Sequence, residues 1–330
     1  MRHISSSDPA NAPRTSGSRK VIYAAMAGNI GVAIGKFVAA SMTGSSTMLA
    51  EGFHSLVDTG NELLLLHGLK RSKRAADKWH PFGYGKATYF WALFVALSVF
   101  LLGGGISIYQ GVVNLSDPPA LGNPLSNYIV LIIAAIFEGM SWRVSQHELV
   151  RRKRHGENLW RTAMKSKDAS VFAVFMEDSA ALLGIIVAAL GIWLSHRFDN
   201  PYFDPAASIV IGLILIGAAV LLARESGGLL VGASMDQDQI AQVRKIISAD
   251  PAVERVGHLL TMQLGPDNVL LTAAIRFQRR LNLDDVEQAI ERLESAITLQ
   301  YPPIHHLYLE SGAIKELSKA VRQTTQQEIS

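Results

Sequence analysis

Long blocks of this sequence are apolar on every side instead of along one stripe, and that repetition constrains the fold more than any other feature. The blocks run from Val21 to Ala40, Met48 to Leu69, Tyr89 to Gly111, Tyr128 to Trp142, Val171 to Leu194 and Ala206 to Ala223. A hydrocarbon core about 30 Å thick takes about 20 helical residues to cross, so the pattern predicts six membrane-spanning helices. A chain that is 49% hydrophobic and 18% charged is unusual for a soluble domain and agrees with that expectation.

The connections between blocks alternate in charge. Lys70, Arg71, Lys73, Arg74, Lys78 and Lys86 follow the second block; Arg143, Arg151, Arg152, Lys153, Arg154, Arg161, Lys165 and Lys167 follow the fourth. The other loops, SMTGSST, VVNLSDPPALGNPLSN and SHRFDNPYFD, hold a single basic residue, Arg197. Cytoplasmic loops collect Lys and Arg, so the two basic connections are expected inside and both termini with them. The first 19 residues, rich in Ser and Pro, lack an apolar signal core and make a poor transit peptide, which leads to the expectation of a disordered cytoplasmic tail and a bacterial plasma (inner) membrane.

Composition also excludes chemistries. The chain has no cysteine, so disulfides, thiolate metal sites and iron–sulfur clusters are ruled out. Its net charge of +3 is carried between apolar runs, without a basic tract interleaved with aromatics, so no nucleic-acid partner is expected.

After residue 228 the pattern becomes that of a soluble domain. Ile240, Val243, Ile246 and Ile247 make a helical stripe; VERVGHLLTMQLG and NVLLTAAIRF read as strands joined at Gly265-Pro266-Asp267. Val286, Ile290, Leu293 and Ile297 mark a second helix and IHHLYLES a last strand. The order αββαβ over residues 229–315 predicts a two-layer α+β domain with helices on one face of a small antiparallel or mixed sheet, behind a six-helix membrane domain at 20–228. Residues 316–330 are expected to fray.

Ionisable groups interrupt the apolar blocks. His54 and Asp58 lie four apart in the second, which stacks them on one helical face. Glu177 and Asp178 interrupt the fifth. Counted from opposite ends at 1.5 Å per residue, Asp58 lies about 18 Å deep and Asp178 about 15 Å, so the two sets meet near the midplane. Such groups are costly in a membrane and mark functional sites. One imidazole and several carboxylates suit Zn²⁺, with Fe²⁺, Co²⁺ and Mn²⁺ as competitors; the alternative is that the acids are structural and pair with one another or with Lys36. Glu51 and Glu62 either line an access route or are structural, Glu138 is assigned a structural hydrogen-bonding role, and Asn29 is either a further oxygen ligand or a helix–helix hydrogen-bonding group. Gly103, Gly104 and Gly105 serve either tight packing or helix sliding.

The runs TGSSTMLAEGFHSLVD, HPFGYGK and FMEDSAALLGI resemble the cation diffusion facilitators, and more narrowly the subgroup that includes eukaryotic zinc transporter nine, from about Lys20 to Glu310. The resemblance implies export of a divalent metal in exchange for protons, a C-terminal cytoplasmic domain of ferredoxin-like type that forms a homodimer, and His54, Asp58 and Asp178 as ligands. Where the wider family carries HxxxD in the fifth span, Val174 stands in place of the His, and Glu177 is the inferred substitute. In the loop ADKWHPFGYGK the family pattern leaves Asp77 and His80, with Tyr84 in the position of a third ligand, so the loop is expected to be structural. In the cytoplasmic domain His258 matches a metal position of some members, but Ala273 and Tyr308 replace others, and His305 and His306 alternate on a strand so that at most one joins His258. The domain is expected to be a poor metal sensor.

The expected mechanism is alternating access at the midplane site, not enzymatic catalysis. Ligands must be deprotonated to bind a metal, so binding releases protons. Two alternatives stand beside it: a membrane protein that docks partners or senses metal without transport, and an intramembrane metallohydrolase, for which no HExxH motif is present.

Overall fold

The computed structural model describes residues 15–43, 46–118, 124–151 and 158–311. The chain divides into two compact units, Met1–Leu230 and Val231–Ser330.

The first unit is helical: α1 (Thr15–Thr43), α2 (Ser46–Ser72), α3 (Ala87–Ser98), α4 (Ile106–Ser116), α5 (Pro124–Arg151), the short α6 (Leu159–Met164), α7 (Ala169–Arg197) and α8 (Phe203–Val231). A π-helical stretch, Val99–Gly105, joins α3 to α4, so Ala87 to Ser116 forms one long rod. Among the described residues, five helices are long and apolar enough to cross a membrane, within α1, the α3–α4 rod, α5, α7 and α8. The sixth expected span is α2, 27 residues long but too polar to join that set. The fourth apolar block, Tyr128 to Trp142, is the middle of a 28-residue helix, because flanking polar residues such as Ser145 and Glu148 pack inward and carry the helix on.

The pattern of burial is reversed relative to a soluble protein. Large apolar side chains point away from the bundle, with Ile34 at 59% exposure, Ile132 at 59% and Leu213 at 57%, while Asn61, Glu62 and Asp178 are buried. A hydrocarbon solvent accounts for this arrangement, since water would favour the opposite one. Small residues let the rods approach. A Cβ on Gly104 would stand 3.0 Å from the carbonyl oxygen of Gly212, and one on Gly212 only 2.8 Å from that of Gly104. Gly104 therefore serves tight packing of the π-helical stretch on α8; a Cβ on Gly105 would meet nothing nearer than 3.5 Å.

Capping places the start of α7. The Asp168 carboxylate accepts the backbone N–H groups of Ser170 (3.2 Å) and Val171 (3.3 Å) with Oδ1, satisfying orphan donors of the first turn. Its Oδ2 accepts the Ser18 hydroxyl at 2.5 Å, tying α1 to α7.

The second unit runs α9 (Gln237–Ala249), β1 (Val253–Gly265), β2 (Asn268–Phe277), α10 (Leu283–Gln300) and β3 (Ile304–Ser311). Its sheet is mixed, with β2 central, antiparallel to β1 and parallel to β3. Gly265 pairs with Asn268 across Pro266-Asp267, which makes the expected turn a two-residue hairpin. Alternate β2 residues Val269, Leu271, Ala273, Ile275 and Phe277 face the core, where they join Val243 and Ile247 of α9 and Leu293 and Ile297 of α10. A capping box of Asn282 and Asp285 starts α10.

Candidate metal centre

On α2, Asp58, Asn61 and Glu62 fall within four residues, so they share one stripe of the helix. Glu62 is 1% exposed. Its Oε1 accepts the Asn29 amide of α1 at 3.0 Å, which gives Asn29 a helix-bridging role. Asn61 donates in turn to Glu177 Oε1 of α7 at 3.0 Å. His54 belongs to α2, but its side chain, like that of Glu51, lies outside the described residues.

Adjacent residues on a helix point about 100° apart, and α7 uses this to address two partners. Glu177 turns toward α2 through Asn61, whereas Asp178 turns toward α5, where Oδ2 accepts the Ser141 hydroxyl at 2.8 Å. Trp142 Nε1 donates to Ser179 Oγ at 2.9 Å and adds a second tie between α5 and α7. The electrostatic neighbours follow the same geometry: Glu177 feels Asp58 and Glu138, and Asp178 feels Glu138 and Glu177. Three helices, α2, α5 and α7, thus bring Asp58, Glu62, Glu138, Glu177 and Asp178 into one repelling field. Among the described residues, no three His, Asp or Glu side chains converge closely enough to enclose a metal ion.

A basic group moderates that field. Lys36 of α1 is buried, donates to Ser55 Oγ at 3.2 Å and attracts Glu138. Glu138 is thus placed by charge, between Lys36, Asp58 and Asp178. Two carboxylate atoms are left over: Glu62 Oε2 and Glu177 Oε2 are buried and accept no hydrogen bond among the described residues. Sequence reasoning missed Asn61 and Ser141. The position of Asn61, three residues after Asp58 and next to Glu62, was the available signal; for Ser141 there was none, because its role depends on which way Asp178 turns.

Hydrogen bonds to Asp77 organise the loop after α2. Asp77 Oδ1 accepts the backbone N–H groups of Trp79 (2.9 Å) and His80 (2.7 Å), and Oδ2 accepts the Tyr84 hydroxyl at 2.7 Å. The Tyr84 hydroxyl, helped by the backbone donors and opposed by desolvation, lowers the pKa of the Asp77 carboxyl to about 2. The same hydrogen bond raises the Tyr84 hydroxyl above its ordinary value. Arg74 lies over the Tyr84 ring at 4.8 Å, and the His80 ring packs on Tyr84 with centroids 4.0 Å apart. Gly83 adopts φ 81°, a left-handed turn that favours glycine. In the second unit, His258 lies on β1 and His305 and His306 on β3, with β2 between. His258 lies level with Ala274, which pairs Glu310 of β3, whereas His306 pairs Leu270, so the register sets these histidines two strands across and about four residues along from one another. Desolvation, then His305, lowers the affinity of His306 for a proton.

Residues 22–231 match the family model described as the cation efflux transmembrane domain. The chain belongs to the cation efflux family. Among cation efflux relatives, it is 31% identical over 247 residues to the mitochondrial proton-coupled zinc antiporter SLC30A9 of Xenopus laevis, covering 74% of this chain and 44% of that protein. It is 32% identical over 242 residues to metal tolerance protein C4 of Arabidopsis thaliana, covering 72% and 52%. It is 26% identical over 263 residues to the cation-efflux pump FieF of Escherichia coli, covering 79% and 81%. The chain spans about half the length of the first two relatives. These cation efflux proteins are named as antiporters, tolerance proteins and pumps, which sets aside the metallohydrolase alternative.

Proposed function

We propose that the protein exports a divalent cation, Zn²⁺ foremost, from the cytoplasm in exchange for protons. The observation that carries this reading is the set of carboxylates buried between facing helices of a cation efflux domain. Ionisable groups in such a bundle are kept because a charged cargo passes them. The zinc and proton specificity is supported by the similarity to SLC30A9, a proton-coupled zinc antiporter. Mn²⁺, Fe²⁺ and Co²⁺ remain chemical competitors for oxygen-rich ligands.

In this proposal His54, Asp58 and Asp178 hold the cargo, and Glu177 takes the place that Val174 leaves without a ligand. Protons leave the ligands as the metal binds and return as it departs, because the same atoms take either. An imidazole at His54 suits this exchange, since it titrates near neutral pH. All six long helical rods cross the bilayer, α2 included, with both termini cytoplasmic. The αββαβ unit, a three-stranded relative of the ferredoxin-like sheet, pairs two copies into a homodimer. A bacterial plasma membrane is the proposed location; the bacterial pump matches over 81% of its own length and supports it.

Reconstitution tests the proposal. Purified protein in sealed vesicles should move Zn²⁺ with opposing proton movement, and Asp58→Ala or Asp178→Ala should stop both fluxes. Normal transport by either variant would remove the central site. Absence of flux from the unaltered protein, with partner binding retained, would favour a docking protein.

A further inference from the structure

We propose that Glu62 and Glu177 form a second cation station, one helical turn along α2 from Asp58, where the divalent ion is held before it reaches the His54–Asp58–Asp178 centre. The proposal rests on the transport reading above. It assigns Glu62 a direct role in binding and makes Glu177 a ligand shared by two positions.

The first support is how each glutamate is held. Asn29 donates to one oxygen of Glu62 and Asn61 to one oxygen of Glu177, each at 3.0 Å. The two amides come from different helices and bring no charge of their own. Neutral donors of this kind orient ligands without competing for the cargo's place, as orienting partners do around metal ions. A Lys or Arg in either position would instead have filled the site with its own charge.

The second support is what remains unsatisfied. Oε2 of Glu62 and Oε2 of Glu177 are both buried with no hydrogen-bond partner among the described residues. Leaving a buried carboxylate oxygen without a partner is expensive, and native structures rarely do so without a functional reason. Here it occurs on one glutamate of α2 and one of α7 that interact electrostatically.

The third support is spacing. Asp58 acts on Glu62 and on Glu177, so the three carboxylates are neighbours. Four residues separate Asp58 from Glu62, which is about 6 Å along the helix. An ion moving that distance keeps Glu177 as a ligand while it exchanges Glu62 for Asp58. The station lies toward the Lys70 and Arg71 end of α2, the cytoplasmic end in the orientation proposed above.

Chemistry distinguishes the two positions. Two carboxylates neutralise a divalent ion, but carboxylate and amide oxygens without an imidazole are a hard donor set that favours Zn²⁺ little over Mn²⁺. The station should therefore accept divalent cations broadly, leaving discrimination to the centre that contains His54.

Equilibrium binding of Zn²⁺ alone, and of Mn²⁺ alone, to the purified full chain tests this. A variant carrying Asp58→Asn and Asp178→Asn should keep one ion, bound weakly and with similar affinity for both metals. Adding Glu62→Gln should abolish it. Zero ions in the double variant, or an ion indifferent to Glu62→Gln, would overturn the station. Asn29→Ala keeps both carboxylates and should weaken the residual ion by about 10–100-fold, the cost of losing an orienting partner; an unchanged affinity counts against it. Melting curves in detergent identify variants that misfold, and Glu62→Asp, which retains the charge, should restore part of the binding. Vesicle flux separates the two proposals. If Asp58→Ala is inactive while Glu62→Gln keeps both the KM for Zn²⁺ and the residual ion, only the station fails; if the unaltered protein moves no ion, both fail.

Discussion

A carboxylate's role in this molecule is decided by its donors. Asp77 receives two backbone N–H groups and a tyrosine hydroxyl, which commit both oxygens to shaping a turn. Its folded value of about 2 lies below the ordinary 3.8. The turn's stabilisation is therefore complete above about pH 4 and lost as the pH falls toward 2. Tyr84→Phe should move that loss upward, seen as faster amide exchange at Trp79 and His80 between pH 4 and 2 than in the unaltered protein. Asp178, by contrast, accepts the Ser141 hydroxyl. If Asp178 is a ligand, Ser141→Ala should weaken Zn²⁺ binding by about 10–100-fold through loss of orientation, and calorimetry would read the change directly.

Elements meet in this protein where side chains are absent. The π-helical stretch and α8 cross at Gly104 and Gly212 with each backbone in the other's way of any added Cβ. Gly212→Ala should cost about 1–3 kcal/mol, the usual penalty of overpacking a filled contact. Gly105→Ala, one residue past the crossing, should be near neutral, because its Cβ would meet nothing inside 3.5 Å. Thermal unfolding in detergent compares the two, and equal melting points would show that the crossing does not hold the helices. The π-helical turn here also widens the rod beside the glycines, a distortion that recurs at functional sites.

The whole molecule joins a lipid-solvated bundle to a unit with its own water-excluding core. A fragment covering residues 231–315 should fold cooperatively, since Leu271, Ile275, Leu293 and Ile297 are buried within it. Leu293→Ala should cost that fragment about 2–5 kcal/mol. Chemical denaturation measures it. His306 adds a pH dependence: its proton affinity is lowered in the fold, so the stabilisation is present above about pH 6.5 and declines in acid. His306→Gln should flatten that decline. Sedimentation of the fragment tests the proposed dimer; a monomer across the micromolar range would move the pairing to another part of the chain.

The apolar blocks, the alternating basic loops and the order αββαβ were legible in the sequence because each depends on local composition and periodicity. His54, Asp58, Glu177 and Asp178 were legible too, as ionisable residues where apolar ones belong. The partners were not. Asn61 reaching Glu177, Ser141 reaching Asp178 and Lys36 reaching Ser55 join residues far apart in the chain. The opposite turns of Glu177 and Asp178 follow from which helices flank α7. Periodicity determines what lies along a helix, but the packing of one helix on another decides which oxygen is satisfied and which is left to bind an ion.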